Sequence, residues 1–293
     1  MNYRHQFHAG NFADVMKHAL LVQLVRGLQK KEKGFLYLDT HAGRGGYDLT
    51  AAATGDSLAR KPEWPEGVGR LAGRGDLPGA VAEYLALARK FDASRRAGAE
   101  ADGALKFYPG SPWLVRELAR PQDRLALCER QPGECAAVRE VFLFSARTTV
   151  QETDGYGAVR ALLPPPERRA LVLIDPPFEA QDEFARVAAA LGEGLRRFPS
   201  GVFAVWYPLT ERARADGFFA ELRALRPPPT LAAELMIAGD GAPLKLKGCG
   251  LAVINPPWQF DREAGPMLEF FGRALAQAPG GGGRVTWIVG EAT

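Results

Sequence analysis

Short apolar runs recur along the chain, with stretches of helical character between most of them. The runs are FLYLDT at 35–40, RLALCE at 124–129, 148–152, ALVLID at 170–175, GVFAVWY at 201–207, 231–237, CGLAVI at 249–254 and RVTWIV at 284–289. Each has the length of a strand, and the continuously apolar ones read as strands covered on both faces. Helices are expected at 134–145, 180–197, 211–225 and 262–277. An earlier helix should start at Asn11, a good cap, and run to about Lys31, because Val15, Ala19, Val22 and Leu28 fall near helical spacing. Ser111-Pro112 opens another, with serine expected as the N-cap and proline at the first helical position. Strands and helices in alternation predict a doubly wound α/β sheet of seven or eight strands. Residues 1–293 are expected to form a single domain. Its one interruption is 48–106, rich in Ala, Gly and scattered charge, where VAEYLALARKF suggests a mostly helical insertion.

Composition narrows the class. A length of 293 residues suits one large domain, and 46% hydrophobic residues can build a core. The net charge of +3 excludes a histone-like protein, so a nucleic-acid partner would have to be held by a local patch. Residues 1–33 carry +4 and the remainder sums to −1. A basic helix is ordinarily a solvated face, but this one is also a candidate RNA contact through residues such as Arg4. No run of 18 uncharged apolar residues exists, and the first residues are polar, so neither a membrane span nor a signal peptide is expected and the cytoplasm is the default compartment. Cys128, Cys135 and Cys249 make no CxxC pair, so neither a disulfide framework nor a zinc ribbon is expected. All four histidines, His5, His8, His18 and His41, lie in the first 41 residues.

In doubly wound sheets ligands sit at the carboxyl ends of the strands. Here those ends read Asp39 with the loop HAGRGG, Glu129, Asp154-Gly155 and Asp175 with Pro-Pro-Phe178. Gly43 and its neighbours allow close approach of backbone to a ligand, although GxGxxG is missing and a plain turn is also open. Glu129 is placed for ribose hydroxyls or for solvent. Asp175-Pro176-Pro177-Phe178 is the most specific piece. Two prolines hold an extended backbone, leaving the Asp175 carboxylate and the Pro176 carbonyl as acceptors and Phe178 as a flat face. That set suits an exocyclic amine on a planar base. NPPW at 255–258 is expected to be a structural turn.

DPPF, together with YRHQFHAGNFADVMKH, LDTHAGRGGY, YPGSP, LCE, TDG, WYP and INPPW, resembles the bacterial 23S ribosomal RNA adenine-N6 methyltransferase family over nearly the whole chain. The resemblance implies a class I S-adenosylmethionine-dependent methyltransferase: Rossmann-like, with a seven-stranded mixed sheet and a small helical insertion after the first strand. It implies a cofactor site at Lys17, His18, His41, Ser111, Glu129, Asp154, Gly155 and Asp175, with Asp175 catalytic and Tyr3 near the RNA. Lys245 and Lys247 in AGDGAPLKLKG are a further RNA candidate on charge. The family usually has DPPY; Phe178 keeps the ring and loses the hydroxyl. DPPF also occurs in guanine-N2 methyltransferases, and a DNA adenine methylase shares the chemistry. A monomer is expected. Readings outside the class are a zinc protein on His5, His8, His18 and Asp14, and a dinucleotide oxidoreductase.

Overall fold

The computed structural model describes residues 7–51, 61–96 and 103–290. Ten strands and eight α-helices follow one another in these segments. The main sheet has the order β10-β8-β9-β7-β6-β1-β4-β5. It is built from β1 (Leu36–Asp39), β4 (Arg124–Glu129), β5 (Thr148–Glu152), β6 (Ala170–Ile174), β7 (Val202–Leu209), β8 (Thr230–Met236), β9 (Gly248–Ile254) and β10 (Gly282–Val289). β5, β4, β1, β6 and β7 run parallel, β9 lies antiparallel between β7 and β8, and β10 pairs antiparallel with β8. The sheet therefore has eight strands rather than seven. The extra one, β10, covers the edge that β8 would otherwise leave open.

Side chains alternate across the strands and feed two cores. Tyr37, Leu125, Leu127, Leu171 and Leu173 join one cluster with α1 (Phe12–Gln29) and α8 (Phe260–Ala274). Leu36, Leu38, Ala126, Val172 and Ile174 join the other, against α5 (Gly155–Leu162), α6 (Glu183–Arg197) and α7 (Arg212–Ala224). The Asn11 side chain caps α1, accepting from the backbone N–H groups of Ala13 and Asp14. This helix is not a solvated basic face. Fifteen of its 18 residues are buried, because it packs against α2, α3 and α8 as well as the sheet. Its cations are already committed: Lys17 to Asp14 and Asp175, Arg26 to Glu83 and Lys30 to Glu263.

The expected insertion is described at 48–51, 61–96 and 103–106. Its described part holds α2 (Gly79–Arg95) and two short 3-10 turns, Trp64–Glu66 and Val68–Arg70. Its ends are clamped by a two-stranded antiparallel ribbon, β2 (Gly46–Asp48) with β3 (Phe107–Pro109). α3 (Ser111–Leu118) follows, capped at Gly110. Ser111 is thus the first helical residue and not the cap, and its hydroxyl is used elsewhere. α4 is Pro132–Val141, ending earlier than expected, and leaves Leu143 and Phe144 exposed in the following turn.

NPPW forms the structural turn expected. Asn255 takes a left-handed φ of 53° and donates to the carbonyls of Pro199 and Gly201 at 2.7 and 2.8 Å. Because β9 runs antiparallel, this turn lies at the end of the sheet opposite Asp175.

Candidate functional site

The chain departs from β1 toward β4 on one side and β6 on the other, so a crevice opens at their carboxyl ends. A cavity of about 1520 Å³ occupies it. Lys17, His18, His41, Gly43, Ser111, Glu129, Asp154, Gly155, Asp175, Pro176 and Phe178 all line this one space, although they are spread over 162 positions of sequence. Lys245 also lines it, whereas Lys247 is turned to the backbone carbonyl of Asp240. Tyr3, Arg4 and His5 lie outside the described residues.

At the end of β6, Asp175 Oδ2 accepts from Lys17 Nζ at 2.6 Å, and Lys17 Nζ also donates to Asp14 Oδ1 at 2.9 Å. Asp14 Oδ2 is held by the Gly10 N–H at 3.0 Å. Burial works against the lysine charge, but Asp14 and Asp175 outweigh it and hold its pKa well above the ordinary value. Asp175 keeps 17% of its side chain exposed. Among the described residues, its Oδ1 and the Pro176 carbonyl accept no hydrogen bond, so both are open to a ligand. Phe178 does not continue the extended path. Its φ is 50°, a strained value for a bulky residue. The turn places its ring 4.8 Å from Phe184 and 5.7 Å from Trp206.

Asp39, at the end of β1, is fully buried and organises the adjoining loop. Its Oδ2 accepts from Tyr37 and Ser111, each at 2.7 Å, and its Oδ1 from the His41 N–H at 3.3 Å. Burial pushes the carboxyl up to about 6. Burial also pushes the His41 imidazole down to about 4; its Nδ1 meets Thr40 Oγ1 at 2.8 Å. Gly43, with a φ of 58°, donates its N–H to Glu129 Oε2 at 2.9 Å, and Gln131 N–H donates to Oε1 at 2.7 Å. The Glu129 carboxylate is therefore fixed in orientation at the cavity wall, and burial raises its pKa. Asp154 caps α5 through the Gly157 N–H at 3.2 Å. Gly155 admits no side chain, since a Cβ there would lie 1.9 Å from the Thr40 carbonyl oxygen. Arg44 makes a bidentate ion pair with Glu134 through Nε and Nη2 at 2.9 and 2.7 Å.

Sequence reasoning gave Asp14 only a zinc-ligand role and gave Tyr108 and Trp206 no individual role, yet Asp14 holds Lys17, Tyr108 meets His18 and Trp206 lines the cavity. Asp14 had a signal: it lies three residues before Lys17 on one helical face. Tyr108 and Trp206 had only their places in YPGSP and WYP, since the residues they meet come from distant elements. The zinc reading finds no support in the geometry. His8 pairs with Glu63, His18 with Tyr108, and no metal-like cluster of His, Cys, Asp or Glu forms among the described residues.

A mostly parallel sheet of this order, with antiparallel β9 and β10 late in the chain and a carboxylate-lined crevice at the switch point, is the Rossmann-like methyltransferase class. The family model described as "Ribosomal RNA large subunit methyltransferase D, RlmJ" matches residues 32–289, and the chain belongs to that family. It is 37% identical over 291 residues to ribosomal RNA large subunit methyltransferase J of Escherichia coli (strain K12), covering 99% of this chain and 100% of that protein. It is 38% identical over 291 residues to the protein of the same name from Haemophilus influenzae, with the same coverage. The crystal structure of protein LPL1258 from Legionella pneumophila is similar with a TM-score of 0.82 and 33% identity, over 96% of this chain and 97% of that one.

Proposed function

We propose that this enzyme transfers a methyl group from S-adenosylmethionine to the exocyclic N6 amine of an adenine in 23S ribosomal RNA. The observation that carries the reading is the pair of open acceptors, Asp175 Oδ1 and the Pro176 carbonyl, at the floor of the cavity beside an aromatic wall.

The cavity residues fit such a cofactor. Glu129, pinned by two backbone N–H groups, can accept from ribose hydroxyls. His41, Asp154 and side-chain-free Gly155 leave a slot for the purine, and His18 and Ser111 line the same wall. The volume exceeds what one small ligand needs, leaving room for a target base. When bound, the cofactor supplies a methyl group on an electrophilic sulfonium.

The chain's own residues do the rest. The N6 lone pair of adenine is delocalised into the ring and is a poor nucleophile. Accepting its two hydrogens at Asp175 Oδ1 and the Pro176 carbonyl turns that lone pair toward the methyl group and fixes the attack geometry. Lys17 holds Oδ2, so the carboxylate cannot rotate away. The excess proton leaves the nitrogen through Oδ1. Phe178 and Trp206 form the aromatic wall against a base that has left its stack, with stacking worth about 1–3 kcal/mol.

Nine carboxylates and seven Lys or Arg line the cavity, so it is not a uniformly basic funnel. RNA backbone contact then falls to individual cations of the wall. Arg214, placed over the Phe184 ring that touches Phe178, is one; Lys61 of the insertion and exposed Lys245 are others.

Nucleoside mass spectrometry of 23S RNA from a deletion strain tests the reading. Loss of N6-methyladenosine, restored by the wild-type chain and not by Asp175→Ala, is expected. Loss of N2-methylguanosine instead would make guanine the target.

A further inference from the structure

A chain of hydrogen bonds joins the insertion to the cofactor wall, and no step of the proposed chemistry uses it. Tyr84 of α2, Tyr108 of β3 and His18 of α1 are all buried. The Tyr84 hydroxyl lies 2.7 Å from the Tyr108 hydroxyl, which lies 2.9 Å from His18 Nδ1. The Tyr108 ring also stacks on the imidazole at 5.5 Å between centroids. The positions are 18, 84 and 108, so three separate elements meet.

The direction of these bonds follows from the dead end. Among the described residues the Tyr84 hydroxyl has no partner other than Tyr108. Its hydrogen can go only to the Tyr108 oxygen, since a buried donor left unmade is costly. The Tyr108 hydrogen is then left for His18 Nδ1, which must be an unprotonated acceptor. The imidazole proton is placed on Nε2. In the opposite direction, Nδ1–H would donate to Tyr108 and Tyr108 to Tyr84, and the Tyr84 hydrogen would have no acceptor.

We propose that Tyr84 and Tyr108 are positioning residues that fix His18 as the Nε2–H tautomer, making it a hydrogen-bond donor for the bound cofactor. The insertion thereby serves the cofactor site, and not only the RNA side of the cavity. This rests on the reading of the cavity wall at His18 as part of the cofactor site. An imidazole free to take either tautomer would offer a donor only part of the time. A donor fixed in advance costs nothing to orient when the ligand arrives.

Two measurements on the full chain separate the claims. Long-range 15N–1H correlation spectra of 15N-histidine-labelled protein read the tautomer directly. Wild type should show His18 as Nε2–H. Tyr108→Phe should move it to a mixture or to Nδ1–H. The double variant Tyr84→Phe/Tyr108→Phe should do the same without leaving an orphan hydroxyl, so a folding defect in the single variant does not decide the matter. Calorimetric titration with S-adenosylhomocysteine should then show affinity falling in proportion to the Nε2–H fraction read from the spectra, about twofold for an equal mixture and about tenfold where a tenth remains. In turnover, the KM for the cofactor should rise more than kcat falls. In a His18→Gln background, whose amide supplies a fixed donor, the tyrosine substitutions should cost no further affinity.

A wild-type Nδ1–H signal, or an Nε2–H signal that survives loss of both hydroxyls, would overturn the proposal. A tautomer that moves while affinity stays unchanged would keep the tyrosine chain and overturn the donor role of His18. Loss of affinity in Asp154→Ala or Glu129→Ala reports separately on the cofactor reading itself.

Discussion

At the scale of single residues, two buried groups at the end of β1 oppose each other. Asp39 rises from 3.8 to about 6, so between those values the folded state holds a proton that the unfolded state has lost. Its contribution is therefore a stability that falls as pH rises through this window, by about 3 kcal/mol at most. His41 falls from 6.5 to about 4, so there the folded state holds fewer protons and stability rises with pH. The two slopes have opposite sign between about 4 and 6 and largely offset. Asp39→Asn should unmask the histidine: urea unfolding at pH 4.5 should show a clear loss relative to pH 6.5. His41→Gln should unmask the carboxylate and make the protein relatively more stable on acidification. Identical pH profiles for both variants and wild type would refute the assignment. At Asp175 the expectation is functional. Asp175→Ala should lower methyl transfer by at least about 100-fold with the fold retained. Asp175→Asn keeps an acceptor oxygen and tests whether the charge is needed.

Elements carry their own tests. Asp154 both caps α5 and lines the cavity. Asp154→Ala should cost about 1 kcal/mol of stability together with cofactor affinity. Asp154→Ser, still a cap, should recover the stability but not the affinity, which thermal unfolding and ligand titration would separate. Asn255 ends β9 with a left-handed backbone and two donated hydrogen bonds. Asn255→Ala should lose about 2–3 kcal/mol, from both lost bonds and the backbone penalty. Turnover of the folded fraction should persist, because this turn lies at the far end of the sheet. α1 shows why an element can be misjudged from charge. Its cations look free in sequence, yet it is packed on several sides and its lysines and arginine reach carboxylates 57 to 233 positions away as well as one nearby.

For the whole molecule, the charge bookkeeping changes where RNA should be felt. The amino-terminal segment's +4 suggested a basic patch, but Lys17, Arg26 and Lys30 are neutralised by partners within the fold. Arg26→Gln should leave RNA affinity and its salt dependence unchanged. Lys245→Glu, on an exposed loop of the cavity mouth, should weaken RNA binding and reduce the slope of log affinity against log salt by about 1. Filter binding over a salt series reads both. Equal effects of the two substitutions would restore the amino-terminal patch.

The succession of strands and helices and the acidic strand ends were legible from local pattern, because apolar runs and turn residues act over a few positions; the order of the strands in the sheet was not. The long motifs also singled out DPPF, which lines the cavity, and NPPW, which forms a turn. Three things were decided only by packing. The ribbon of β2 and β3 joins residues about 60 apart, so no short-range signal announces it. Lys17 gains its contact to Asp175 across 158 positions. The direction of the Tyr84, Tyr108 and His18 chain depends on what lies beyond its last hydroxyl. Sequence determines which groups a chain can offer; burial and the distances between remote elements decide which of them are spent on one another and which remain for a ligand.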